Sequence, residues 1–171
     1  NDAVADGSLG ANPTLTAFIE KMKKSAGTCH LLGLVSPGGV HSHQNHMVAL
    51  SHILDQAGVP VAVHAILDGR DTPPKSALDY LAKFEIGLEG SNGVKIATVT
   101  GRYFAMDRDQ RWDRTELAYR AIAEGKSAAA EGIDVNSKSA KGAVEAAYES
   151  GQSDEFCAAA VIGRSEEHTS E

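Results

Sequence analysis

The sequence predicts an α/β fold, three layers deep (α/β/α), around a mostly parallel sheet. Apolar runs of strand length alternate with amphipathic stretches of helix length through the first two thirds of the chain. Each of the first three apolar runs leads into a polar, glycine-containing segment, the pattern of loops that leave one edge of a parallel sheet. At 171 residues the chain is long enough to bury one substantial core.

The first helix begins at Asn12-Pro13, an N-cap side chain followed by proline at the first helical position. Leu15, Phe18, Ile19 and Met22 give it an apolar stripe, and Gly27 reads as its stop. The run from Cys29 to Val35 is a buried strand. Met47, Leu50, Ile53 and Leu54 mark a second helix ending at Gly58, and Val61 to Leu67 is a second strand. Pro73 and Pro74 open a third helix with Leu78, Leu81 and Phe84 on one face. Val94 to Val99 is a third strand, and a long helix follows the Arg102 to Trp112 segment through Leu117, Ala118, Ala121 and Ile122. Crossovers between parallel strands should be right-handed.

From Ala128 to Ser153 the chain is rich in Ala, Glu, Lys, Ser and Gly, and one helix, Ala140 to Tyr148, is expected there as scaffold. The final stretch, Arg164 to Glu171, is polar and unlike the apolar run Ala158 to Ile162 before it. The codon string AGA TCG GAA GAG CAC ACG TCT GAA would encode it, and that string resembles a sequencing-library adapter. Residues 1–163 are therefore expected to form the native domain, truncated, and 164–171 a non-native tail.

Composition excludes several classes. The net charge of −7 disfavours nucleic acid as a partner, so any anion must meet a local cluster of cations. Apolar runs such as Cys29 to Val35 are too short to span a bilayer. Cys29 and Cys157 make no disulfide framework, and Cys29 reads as a buried thiol; a cytoplasmic protein is expected.

Chemistry gathers in the three loops that follow the strands: Ser36 to His43, Asp68 to Pro74, and Gly101 to Asp109. In a parallel sheet all three share one edge. Arg70, Arg102 and Arg108 each present a planar fork of donors to a carboxylate or phosphate. Gly38 and Gly39 admit close backbone approach. His41 can donate to an oxyanion or relay a proton. Asp71 either accepts a proton from a hydroxyl or holds Arg70 in place. A small molecule with a phosphate, a carboxylate and a hydroxyl would use all of these groups.

Plainer readings stand beside these. Arg70 and Asp71 also suit a turn or a surface ion pair. Arg102 and Arg108 lie among Asp107, Asp109 and Asp113, as in a solvated ion-pair network. His41, His43 and His46 lack the spacing and supporting carboxylate of a helical zinc site, so no metal is expected there. Ser36 and Ser42 lack a base and an orienter, which disfavours a serine hydrolase.

Three stretches resemble the cofactor-independent phosphoglycerate mutases: Gly33-Leu-Val-Ser-Pro-Gly-Gly-Val-His-Ser-His43, His64-Ala-Ile-Leu-Asp-Gly-Arg-Asp-Thr-Pro-Pro-Lys-Ser76 and Thr100-Gly-Arg-Tyr-Phe-Ala-Met-Asp-Arg-Asp-Gln-Arg-Trp-Asp-Arg114. The resemblance covers residues 1–163, with Asp6-Gly-Ser-Leu and Asp154-Glu-Phe adding to it. Pro37 departs from the aspartate of many members. The resemblance implies that this chain is the inserted, phosphoglycerate-binding (phosphotransferase) domain of a two-domain isomerase. It implies substrate contacts for His41, Arg70, Asp71, Arg102 and Arg108, with Asp71 assisting proton transfer at the substrate hydroxyl.

For the intact enzyme the resemblance implies interconversion of 3- and 2-phosphoglycerate in glycolysis through a phosphoserine, without 2,3-bisphosphoglycerate. It implies two manganese ions, whose ligands are absent from this chain together with the serine and a further Arg-x-x-Arg pair. A monomer binding a small-molecule substrate, with no nucleic-acid or membrane partner, is expected, and the fragment alone should be inactive. The alternative is a stand-alone, non-catalytic module binding phosphorylated carboxylate metabolites.

Overall fold

The structure is a computed structural model that describes residues 1–128 and 138–163. The expected tail, 164–171, lies outside the described residues. Strands β1 (Cys29–Leu34), β2 (Val61–Leu67) and β3 (Val94–Gly101) pair in parallel, and a short β4 (Ala160–Val161) pairs antiparallel with β3. The order across the sheet is β1-β2-β3-β4. Every residue of β2 is buried, as its unbroken apolar run requires of a strand covered on both faces. The fold is the three-layer, mostly parallel arrangement that the alternating pattern predicts.

The helices are α1 (Asp2–Ala5), α2 (Pro13–Ser25), α3 (Gln44–Gln56), α4 (Ala77–Gly87), α5 (Arg102–Ala105), α6 (Trp112–Ala123) and α7 (Ala140–Glu149). Asn12 caps α2 by accepting from the amides of Thr14 and Leu15 at 3.0 and 3.2 Å. That helix stops at Ser25, two residues before the expected glycine, with Ala26 in the left-handed region at φ 51°. Pro73 and Pro74 do not open α4, which starts at Ala77. The buried Asp154 carboxylate sets the start: its Oδ2 accepts from the amides of Ser76 and Ala77, each at 3.0 Å. The apolar run after Cys157 supplies β4.

Val61, Val63, Ala65 and Leu67 of β2 pack with Leu54 of α3, Leu81 and Phe84 of α4 and Val144 of α7. Fully burying a side chain such as Phe84 contributes about 1.5–3 kcal/mol. On the opposite face, Leu117 and Ala121 of α6 pack with Ala159 and Val161. That face also carries a polar ladder across three strands. His64 places Nε2 2.8 Å from His30 Nδ1 and Nδ1 2.9 Å from Thr98 Oγ1. With helices on both faces, the carboxyl ends of β1, β2 and β3 are the sheet edge left for loops.

Candidate functional site

Asp68 directly follows strand β2 and is buried, and the three loops are assembled on it. Its Oδ2 accepts from the Ser36 hydroxyl of the first loop at 2.7 Å. Its Oδ1 accepts from the amides of Arg70 and Asp71 at 3.3 and 3.0 Å. The same oxygen accepts from an Arg102 guanidinium nitrogen of the third loop at 2.7 Å. Burial alone would raise the Asp68 carboxyl, but Ser36, the Asp71 amide, Arg102 and the Arg70 amide together hold it below its ordinary value. Gly38 fits this closure closely, since a Cβ there would lie 3.1 Å from Asp71 Cβ and 3.2 Å from Asp68 Oδ2 and would require the neighbours to give.

Arg102 bridges two carboxylates, since the nitrogen that meets Asp68 also donates to Asp71 Oδ2 at 2.9 Å. Burial would lower the guanidinium, and Asp71 and Asp68 outweigh it, so Arg102 is held more firmly protonated. His41 Nε2 lies 3.9 Å from the same Asp71 oxygen. Of the two readings of Asp71, a tether for Arg70 is the one the geometry does not bear out: Asp71 holds Arg102, and Arg70 reaches Glu155 Oε1 at 3.3 Å.

The third loop is braced by Arg114. Its guanidinium pairs with Asp107 at 3.2 Å and lies 4.0 Å from the centre of the Tyr103 ring. Tyr103 in turn meets Phe156 with ring centres 5.0 Å apart. Asp107 and Asp109 therefore serve Arg114, and Asp113 serves Arg111 at 2.8 Å. Arg108 has no ion pair among the described residues and is exposed.

His41, Arg70, Arg102 and Arg108 line one open cleft of about 540 Å³, which Glu155 and Phe156 also line. Asp71 touches two of these lining groups. All five residues expected from the sequence thus stand together at the carboxyl edge of the sheet. Asp68, Ser36, Arg114 and Glu155 belong to the same assembly, although the sequence offers Ser36 only as an unsupported nucleophile and the other three only within longer motifs. The position of Asp68, the first polar residue after a buried strand, is the signal that could have found it. The cleft suits a small anion carrying two acidic groups, which planar guanidinium forks bind with defined geometry.

His41, His43 and His46 line one small pocket, with the His43 and His46 ring centres 5.6 Å apart, but two of the three have other partners. His43 Nδ1 caps α3 by accepting from the Asn45 amide at 3.2 Å, and His46 Nε2 lies 2.7 Å from Asn1 Oδ1. Among the described residues no group of three or more His, Cys, Asp or Glu is placed to hold a metal ion. No helix of the described residues is long and apolar enough to cross a membrane.

The whole chain, residues 1–171, matches the family model for the BPG-independent PGAM N-terminus. It is 52% identical over 158 residues to a 2,3-bisphosphoglycerate-independent phosphoglycerate mutase of Gluconobacter oxydans, covering 92% of this chain and 29% of that protein. It is 51% identical over 163 residues to the protein of that name from Rhodopseudomonas palustris, covering 95% and 31%. Crystal structures of Leishmania mexicana phosphoglycerate mutase at low cobalt concentration superpose with a TM-score of 0.80 at 28% identity, over 94% of this chain and 30% of that one. The chain thus spans about three tenths of the length of these relatives.

Proposed function

We propose, from the premise that the chain belongs to the 2,3-bisphosphoglycerate-independent phosphoglycerate mutases, that residues 1–163 are the phosphoglycerate-gripping domain of an isomerase. The intact protein would exchange phosphate between the 3- and 2-positions of glycerate, as a glycolytic enzyme of the cytoplasm acting as a monomer.

The observation that carries this reading is the convergence of Arg70, Arg102 and Arg108 with His41 on one cleft. A phosphoglycerate has a carboxylate, a phosphate and a hydroxyl. Arg108, exposed and unpaired among the described residues, is free to meet an incoming anion. Arg102 has one nitrogen committed to Asp68 and Asp71, so its remaining donors are aimed by a fixed anchor. Asp71, in contact with Arg102 and 3.9 Å from His41, would accept the proton of the substrate hydroxyl in this reading.

Relatives of this family suggest metal cofactors, and manganese is our expectation for the intact protein. The described residues of this chain do not fit such ions. The Asp68 and Asp107 carboxylates are already satisfied by arginines and backbone amides, so no step is assigned to a metal here. The part of this chain is to bind, orient and retain the glycerate while the transfer occurs on residues elsewhere in the longer protein.

Isothermal titration with 3-phosphoglycerate, 2-phosphoglycerate, glycerate and inorganic phosphate tests this reading. We expect both phosphoglycerates to bind, and each half-ligand to bind at least ten-fold more weakly, about 1.4 kcal/mol. Equal binding of inorganic phosphate and 3-phosphoglycerate would sink it.

A further inference from the structure

The cleft proposed to take an anion has most of its positive charge already neutralised. Arg102 is held by Asp68 and Asp71, and Arg114 by Asp107 and Asp109. Both side chains are largely withdrawn from solvent, at 10% and 16% exposure. Arg70 differs. Its side chain is 48% exposed, and it meets Glu155 through one contact at 3.3 Å.

Glu155 is the fixed member of that pair. Its neighbour Asp154 is buried and caps α4. The backbone of residues 154–157 is seated against two glycines at the ends of β2 and β3. A Cβ on Gly101 would fall 2.3 Å from the Glu155 carbonyl oxygen, and one on Gly69 would fall 3.0 Å from the Glu155 amide nitrogen. The Gly101 amide donates to the Cys157 carbonyl at 2.8 Å and the Asp154 amide to the Pro74 carbonyl at 2.9 Å. The sheet thus carries a carboxylate to the cleft lining at a set position, and a long arginine comes to it from the loop after β2.

We propose that Glu155 is an internal competitor for Arg70. It holds the guanidinium when the cleft is empty and yields it to an acidic group of the ligand. A single contact at an exposed site is a weak tether. A carboxylate or phosphate engaging the fork through two parallel bonds is a stronger partner, so the exchange runs forward on binding. The pair also lowers affinity below what Arg70 alone would give, which favours release of an anionic product. Glu155 therefore sets how tightly the cleft grips its ligand. This rests on the phosphoglycerate reading above.

The test is isothermal titration of 3-phosphoglycerate into the protein and its Glu155→Gln, Arg70→Ala and doubly substituted forms. Glu155→Gln keeps the shape of the side chain and leaves the anchors at Asp154 and Gly101 in place. It is expected to tighten binding about three- to ten-fold at low salt. The gain should shrink as ionic strength rises and disappear when Arg70 is alanine. Unchanged or weaker binding by Glu155→Gln would overturn the proposal, as would a gain that persists in full without Arg70. If the unsubstituted protein fails to bind 3-phosphoglycerate, the phosphoglycerate reading falls and this inference with it. Binding by that protein with no gain in Glu155→Gln sinks the inference alone.

Discussion

Asp68 Oδ1 and an Arg102 guanidinium nitrogen lie 2.7 Å apart, with both side chains largely withdrawn from solvent. Breaking a pair of this kind from one side leaves the other charge stranded, at a cost on the order of 3 kcal/mol. Asp68→Asn should therefore lower stability by that amount, read as a shift of the urea midpoint at unchanged slope. It should also weaken phosphoglycerate binding, because Arg102 and the amides of Arg70 and Asp71 lose a common anchor. The Asp68 carboxyl is depressed in the fold. Its stabilising contribution is thus fully present above the ordinary carboxylate range and is lost as pH falls through the folded value. The substituted protein should lack that component of acid unfolding; an identical acid limb in both would refute the role.

Arg108 and Arg102 should separate binding from stability. Arg108 is exposed and unpaired among the described residues, so Arg108→Ala should change stability by no more than about 0.5 kcal/mol. It should nonetheless weaken phosphoglycerate binding by about 1.5–3 kcal/mol, the scale of a charged hydrogen bond. Arg102→Ala should weaken binding by a similar amount and lower the melting temperature as well. Equal effects of the two substitutions on melting would contradict the division.

How much of this site was legible in the sequence depends on how far apart in the chain its partners lie. The alternation of apolar runs and amphipathic stretches implied a parallel sheet, and a parallel sheet sends successive loops to one edge. His41, Arg70, Asp71, Arg102 and Arg108 could therefore be grouped before any coordinates. Pairing was not legible. Asp154 caps a helix from 77 residues away, and Glu155 meets Arg70 from 85 residues away. No local pattern encodes either contact, so the prolines are the only start signal for α4 that the local sequence offers. Adjacency says nothing of the partner of Asp71 either, which is Arg102 across the sheet edge rather than Arg70 beside it.

Asp71 should matter more to turnover than to affinity. Its carboxylate is held by Arg102 at 2.9 Å and faces His41 at 3.9 Å, so Asp71→Asn preserves shape while removing the carboxylate proposed to accept the substrate proton. In the intact enzyme kcat is expected to fall about 10²–10⁴-fold with little change in KM. A raised KM with kcat preserved would make Asp71 a positioning residue for Arg102.

Tyr148 donates its hydroxyl to the buried Asp154 carboxylate. Burial, reinforced by Asp154, raises the phenol well above its ordinary value. Tyr148→Phe leaves one oxygen of Asp154 without that donor and should cost about 1–3 kcal/mol in chemical unfolding. Phosphoglycerate affinity should fall only if the Asp154–Phe156 segment shifts, so a loss of stability with binding intact would confine Tyr148 to the scaffold.

His64 gives the domain a second pH dependence, of opposite protonation logic to that of a paired histidine. It is buried in β2 between His30 and Thr98. Burial first, and the neighbouring His30 second, push it from 6.5 down to about 4. The folded state therefore keeps His64 neutral where the unfolded chain takes up a proton. Stability from this source is complete above about pH 6.5 and declines between there and about pH 4, by about 2–3 kcal/mol in total. Urea unfolding at intervals across that range should show the decline, and His64→Gln should remove most of it while costing some stability at pH 7. A His64→Gln protein with the same slope would show that another group titrates in its place.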